Sequence, residues 1–140
     1  MSTLRIGGEA SGKALELTRD DLERIEARHQ VPDVGNLVAG REGRAVHLRA
    51  LADLAGASDA ARFVHVESRD GTFTANVEIE TALTSGLVLH SLADDDLPAR
   101  YGGPFRLLFA DSDDCSVNVK DLARIEFLET EGSHTARCDD

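Results

Sequence analysis

The chain has 140 residues, a length that fits one domain able to bury roughly two-thirds of its unfolded surface. Hydrophobic residues make up 41% and charged residues 29%, an ordinary globular balance with no apolar run near the ~20 residues of a membrane helix. Fifteen Lys and Arg against twenty-six Asp and Glu give a net charge of −11, so nucleic acid and anionic membrane surfaces are not expected partners.

The start, Met1-Ser2-Thr3-Leu4-Arg5-Ile6-Gly7-Gly8, has no signal-peptide stretch, and the expected compartment is the cytoplasm. After this opening, Leu15-Glu16-Leu17 reads as a short strand. Thr18 then caps a helix, with Asp21 three residues on completing a capping box, and Leu22 and Ile25 supply the buried face. Pro32 and Gly35-Asn36 break the stretch 31–38 into strand and loop, and Arg41-Glu42-Gly43-Arg44 reads as a polar turn. Residues 47–55 read as a second helix, with Leu48, Leu51, Ala52 and Ala55 on one face and Gly56 as its stop.

Strands dominate the second half. Residues 63–67 and 73–79 alternate apolar and polar around Arg69-Asp70-Gly71-Thr72, the pattern of a hairpin. Residues 81–85 read as a helical turn, 87–89 as a short buried strand, 93–96 as a turn and 98–104 as an irregular loop. The next strand, 105–109, turns Phe105, Leu107 and Phe109 to one side and Arg106 and Leu108 to the other. A short element begins at Val117 and the last strand spans 122–128. The expected organisation is one α+β domain over residues 1–128 with a polar tail over 129–140.

Several motifs imitate chemistry without carrying it. Gly7-Gly8-Glu9-Ala10-Ser11-Gly12-Lys13-Ala14 has the spacing of a phosphate-binding loop, but Ala14 lacks the magnesium-binding hydroxyl and a strand follows instead of a helix. Asp111-Ser112-Asp113-Asp114 opens like a calcium loop, yet its bend lacks glycine and its twelfth position is Leu122. The histidines (His29, His47, His65, His90, His134) have no metal-ligand spacing with Cys115 or Cys138 and read as half-exposed surface residues. Cys115 stands in an acidic loop, which disfavours a reactive thiolate. Two cysteines make no disulfide framework, and no Gly-x-Ser-x-Gly elbow supports a hydrolase.

One constellation goes further. Tyr101-Gly102-Gly103-Pro104-Phe105-Arg106-Leu107-Leu108, followed by Val117-Asn118-Val119-Lys120-Asp121-Leu122-Ala123-Arg124-Ile125, resembles the molybdopterin-binding domain of the sulfite oxidase family of oxidoreductases. That family has a His-Gly-x-Pro-x-Arg segment and then a Val-Lys-Trp stretch. The likeness extends backwards through residues 87–97, 47–56 and 15–22, covering about 4–128 in order.

The resemblance implies mixed, layered β-sheets with short helices and an anionic molybdopterin cofactor. It places Arg106 and Lys120 at cofactor-binding positions, where cations suit a phosphate, with Tyr101 in place of the family's histidine. Two departures bear on chemistry. Asp121 replaces a tryptophan, and Asp33, in Asp33-Val34-Gly35-Asn36, stands where the family has its metal-ligating cysteine. A carboxylate is a harder donor than the thiolate it replaces. The larger members' immunoglobulin-like and haem domains have no counterpart in these residues. The expectation is a small stand-alone, non-catalytic relative with no metal ligand and no bound cofactor, keeping a pocket for a small anionic ligand or serving a protein partner. The alternative is a molybdopterin-dependent oxidoreductase with atypical metal ligation.

Overall fold

The computed structural model describes residues 2–38, 40–93, 95–110 and 118–130. The acidic loop 111–114, Cys115, Val117, His134, Cys138 and the tail beyond residue 130 lie outside the described residues.

The chain order is β1 (Leu4–Gly7), β2 (Leu15–Leu17), α1 (Arg19–Glu23), β3 (Gln30–Val31), β4 (Arg44–His47), α2 (Leu48–Ala55), β5 (Phe63–Ser68), β6 (Thr74–Glu78), α3 (Ile79–Ser85), β7 (Gly86–Leu92), β8 (Asp95–Asp96), β9 (Arg106–Phe109) and β10 (Leu122–Leu128). The strands form two five-stranded sheets. One has the order β2-β1-β10-β5-β6; the other runs β3-β4-β7-β8, with β9 also paired to β7. The first sheet is mixed, because β1 and β10 are parallel while its other neighbours are antiparallel. This is the mixed, layered α+β arrangement that the family resemblance implies.

Side-chain alternation decides what each sheet buries. Leu4 and Ile6 of β1, Val64 and Val66 of β5, and Ile125 and Phe127 of β10 turn into the main core. There they meet Val46, Val88, Leu107 and Phe109 of the second sheet and Leu48, Leu51 and Ala55 of α2. The second sheet is apolar on both faces: Val31, Ala45, Leu87, Leu89 and Leu108 fill a smaller core behind it. Phe105, Leu107 and Phe109 therefore part from Leu108 as the alternation requires.

Local signals hold where the sequence carries them. The Thr18 hydroxyl accepts from Asp21 N at 3.2 Å, and Thr18 N donates to Asp21 Oδ2 at 2.9 Å. The Asp21 carboxyl accepts from Thr18 N and, at 3.1 Å, from the Thr18 hydroxyl, and these two bonds, backbone first, hold it below its ordinary pKa. Thr18→Ala removes one of them and is expected to lower stability by about 1 kcal/mol; a denaturant titration should show an earlier midpoint at unchanged slope. Gly56 ends α2 in the left-handed region at φ 66°.

Three elements differ from the sequence reading. β1 was not predicted; Leu4–Gly7 is a strand because β2 and β10 pair with it on either side. β4 runs from Arg44, the last residue of the expected polar turn, to His47, the expected first residue of the second helix; α2 begins at Leu48 instead. Four residues become a strand there because β3 and β7 pair with them on either side. Asp95–Asp96 pairs with Ser91 and Leu92 instead of forming only a turn.

The phosphate-loop lookalike is structural. Ser11 N, Gly12 N and Lys13 N donate to Gly8 O, Gly56 O and Ala55 O, so these amides do not point at a ligand.

Candidate anion-binding site

Arg106 opens β9, and its register places it in one row with Leu89, Ala45 and Val31 across the second sheet. The loops after β3 and before β9 therefore emerge at the same end of that sheet. The second loop makes a single 3₁₀ turn, Ala99–Tyr101, capped by Gly102 at φ 87°. Pro98 O accepts from Tyr101 N at 2.9 Å and from Gly103 N at 3.0 Å, which turns the chain back towards β9.

Lys120 reaches the same place by backbone pairing. Val119 and Leu107 exchange hydrogen bonds of 2.9 and 3.2 Å. Asp121 N then donates to Gly102 O and Leu122 N to Phe105 O, both at 2.7 Å. The segment runs alongside β9 and sets Lys120 beside Arg106.

Gly102 is where the two stems meet. A Cβ at this position would lie 2.8 Å from Arg106 Cδ and 3.0 Å from Lys120 Cγ. Glycine is thus needed twice, for its positive φ and for the close approach of two cationic side chains. The Arg106 guanidinium donates from Nη1 to Tyr101 O at 3.3 Å. Arg106 is buried and Lys120 is exposed, so the pair has one fixed and one solvent-facing charge. Tyr101 stays 38% exposed, and Arg100 Cζ lies 5.1 Å from its ring centroid, a cation–π contact. Asp121 sits at φ 50°, a left-handed position that Asp tolerates better than most residues.

The three residues selected from sequence, Tyr101, Arg106 and Lys120, are brought together. Asp33 is not among them. It follows β3, and Val31 is three strands from Arg106, roughly 14 Å at ~4.8 Å per strand. The Asp33 carboxylate is exposed and accepts from Gly35 N at 2.9 Å, capping the 3₁₀ turn Val34–Asn36. Among the described residues, no group of three or more His, Cys, Asp or Glu is placed to hold a metal ion.

A second polar cluster escaped the sequence reading. His65 and His90 are buried, contrary to the half-exposed surface role expected of them. His65 Nδ1 lies 3.0 Å from Asn76 Oδ1, its cross-strand neighbour. His90, 1% exposed, lies 2.7 Å from Ser91 Oγ through Nδ1. Ser91 Oγ accepts from Arg19 Nε at 2.7 Å, and Glu23 Oε1 takes Arg44 Nη2 at 2.7 Å and Arg19 Nη2 at 3.3 Å. The one readable hint was polar His90-Ser91 closing an otherwise apolar strand.

The chain is thus a mixed two-sheet α+β domain with a cationic pair at one end of the second sheet. The chain matches the oxidoreductase molybdopterin binding domain family over residues 2–136, and it belongs to that family. Among solved structures it is similar to the sulfane dehydrogenase SoxCD from Paracoccus pantotrophus, at a TM-score of 0.69 and 18% identity. That similarity covers 92% of this chain and 38% of the SoxCD chain, so this chain spans well under half of its length. No curated protein matches it. No described helix is long and apolar enough to cross a membrane.

Proposed function

We propose that this domain is a non-catalytic member of its family, which binds a small anionic ligand through Arg106 and Lys120. The observation that carries this reading is the meeting of the two cationic stems on Gly102, with Arg106 buried. A guanidinium held by the fold and a solvent-facing ammonium beside it put two positive charges at one place, which suits a phosphate or carboxylate. Tyr101 contributes its backbone carbonyl, which accepts from Arg106 Nη1 and helps hold the guanidinium in place.

The family's cofactor has an anionic part and a metal-binding part, and this chain fits them unequally. Arg106 and Lys120 suit a phosphate. The ligand position does not suit the metal, since Asp33 offers a hard oxygen and one of its oxygens already accepts from Gly35 N.

The protein purified from cells that supply the cofactor is expected to carry less than a tenth of a molybdenum per chain by elemental analysis. About one molybdenum per chain would contradict this reading and establish an oxidoreductase with atypical ligation. Asp33→Cys in the same cells tests whether the ligand alone is missing: recovered metal would restrict the loss to this position.

A further inference from the structure

Outward-facing residues of the first sheet form a row of charges. Glu16 of β2, Arg5 of β1, Arg124 of β10 and Glu67 of β5 are successive register partners. All four lie on the face opposite the main core, because their neighbours Leu4, Ile6, Val66 and Ile125 point inwards. The order across the sheet is therefore negative, positive, positive, negative. Two like charges stand side by side at its centre, about 4.8 Å apart at the backbone, and like charges so placed repel.

Only one of the two arginines is compensated. Arg124 Nη1 donates to Glu67 Oε2 at 3.4 Å. The exposed Arg5 guanidinium has no hydrogen bond or ion pair among the described residues. Glu16, its other neighbour in the row, accepts instead from the Thr3 hydroxyl at 2.8 Å. Nearby Arg69 is committed to Thr3 O and Asp121 Oδ1, both at 3.3 Å.

Two depressions meet on this row. One of about 270 Å³ has Thr3, Arg5, Glu16, Glu67, Arg69 and Arg124 in its walls. The other, of about 390 Å³, shares Arg5, Glu16 and Arg124 and continues over Gly7, Ala14 and Leu15. Its floor is open because Gly7 has no side chain: within 4 Å, a Cβ there would meet only Ala14 Cβ, at 3.9 Å. Charges of both signs thus border a small apolar floor.

We propose that this place binds a small zwitterion of the α-amino acid type: its carboxylate bridges Arg5 and Arg124, its ammonium is taken by Glu16, and its side chain lies over Gly7 and Ala14. The carboxylate relieves the repulsion between the arginines and gives the Arg5 donors an acceptor. Glu16 and Glu67 on either side repel a phosphate dianion, so the ligand class differs from that of the Arg106–Lys120 pair.

The test uses L-valine as the probe, followed by amide NMR of the full chain at pH 7. Two controls each remove one charge and keep the side chain: 3-methylbutanoate lacks the ammonium and isobutylamine lacks the carboxylate. Millimolar L-valine is expected to shift the Arg5, Gly7 and Arg124 amide signals in a saturable way, and each control to bind about tenfold more weakly. Arg5→Gln should weaken L-valine about tenfold and Glu16→Gln several-fold. Gly7→Leu, at an open position without a positive φ, should weaken it by filling the floor. Lys120→Ala should leave it unchanged. The proposal is overturned if L-valine leaves these signals in place, if either control binds as well as L-valine, or if any of the first three variants binds it like the parent. Loss of binding in Lys120→Ala would assign the ligand to the other site and overturn it too.

Discussion

Phe105→Ala is expected to destabilise the domain by roughly 3–5 kcal/mol, the usual cost of emptying a buried aromatic site. Phe105 is 1% exposed and belongs to the main core with Leu107, Phe109 and Leu122. Its carbonyl also accepts from Leu122 N at 2.7 Å, so the position ties the start of β9 to β10. Equilibrium unfolding in urea measures the loss. A change below about 1 kcal/mol would mean that the side chain faces solvent and that the register of β9 is wrong.

The second large effect is acid lability. Burial pushes the His90 imidazole down to about 4 from its ordinary 6.5; Glu23 opposes this, and Arg44 and Arg19 reinforce it. The unfolded chain takes up a proton near pH 6.5 that the folded chain refuses until pH 4. Stability is therefore fully present above 6.5 and falls as the pH drops towards 4, by about 3 kcal/mol from this group. His47 acts in the same direction, lowered by burial and by His29. Asp21 and Asp70 are held below the usual carboxylate value by their hydrogen bonds, so their contribution fades only below that range. Urea titrations between pH 7 and 4 should show this slope. His90→Phe should flatten it, whatever its stability at pH 7. A variant as acid-sensitive as the parent would assign the effect elsewhere.

Legibility followed the range of the forces involved. The capping box at Thr18 and the Gly56 stop are local, and both were readable. So was the alternation of residues 105–109, because each face of β9 meets a different core. β4 was not, since its four residues are a strand only between β3 and β7. The burial of Arg106 was also hidden: a polar residue between apolar ones in a strand normally faces water, and only a sheet buried on both faces encloses it. The meeting of Arg106 and Lys120 depends on the Val119–Leu107 pairing, which no spacing rule gives. The family resemblance supplied that juxtaposition; the residues alone did not. His90 was misread because a lone histidine late in an apolar strand gives no sign of Arg19, which is far away in sequence.

The central claim, an anion held by Arg106 and Lys120, is tested most directly by thermal unfolding in phosphate. Ligand binding to the folded state at ten times its Kd stabilises by about 1.4 kcal/mol, which for a domain this size raises Tm by roughly 3–6 °C. Chloride at matched ionic strength removes general salt effects. Lys120→Ala changes only an exposed residue and should lose most of the phosphate increment; Arg106→Ala with Lys120→Ala should lose all of it. The account predicts a parent that gains these degrees in phosphate and variants that do not. Variants that gain as much as the parent would contradict it.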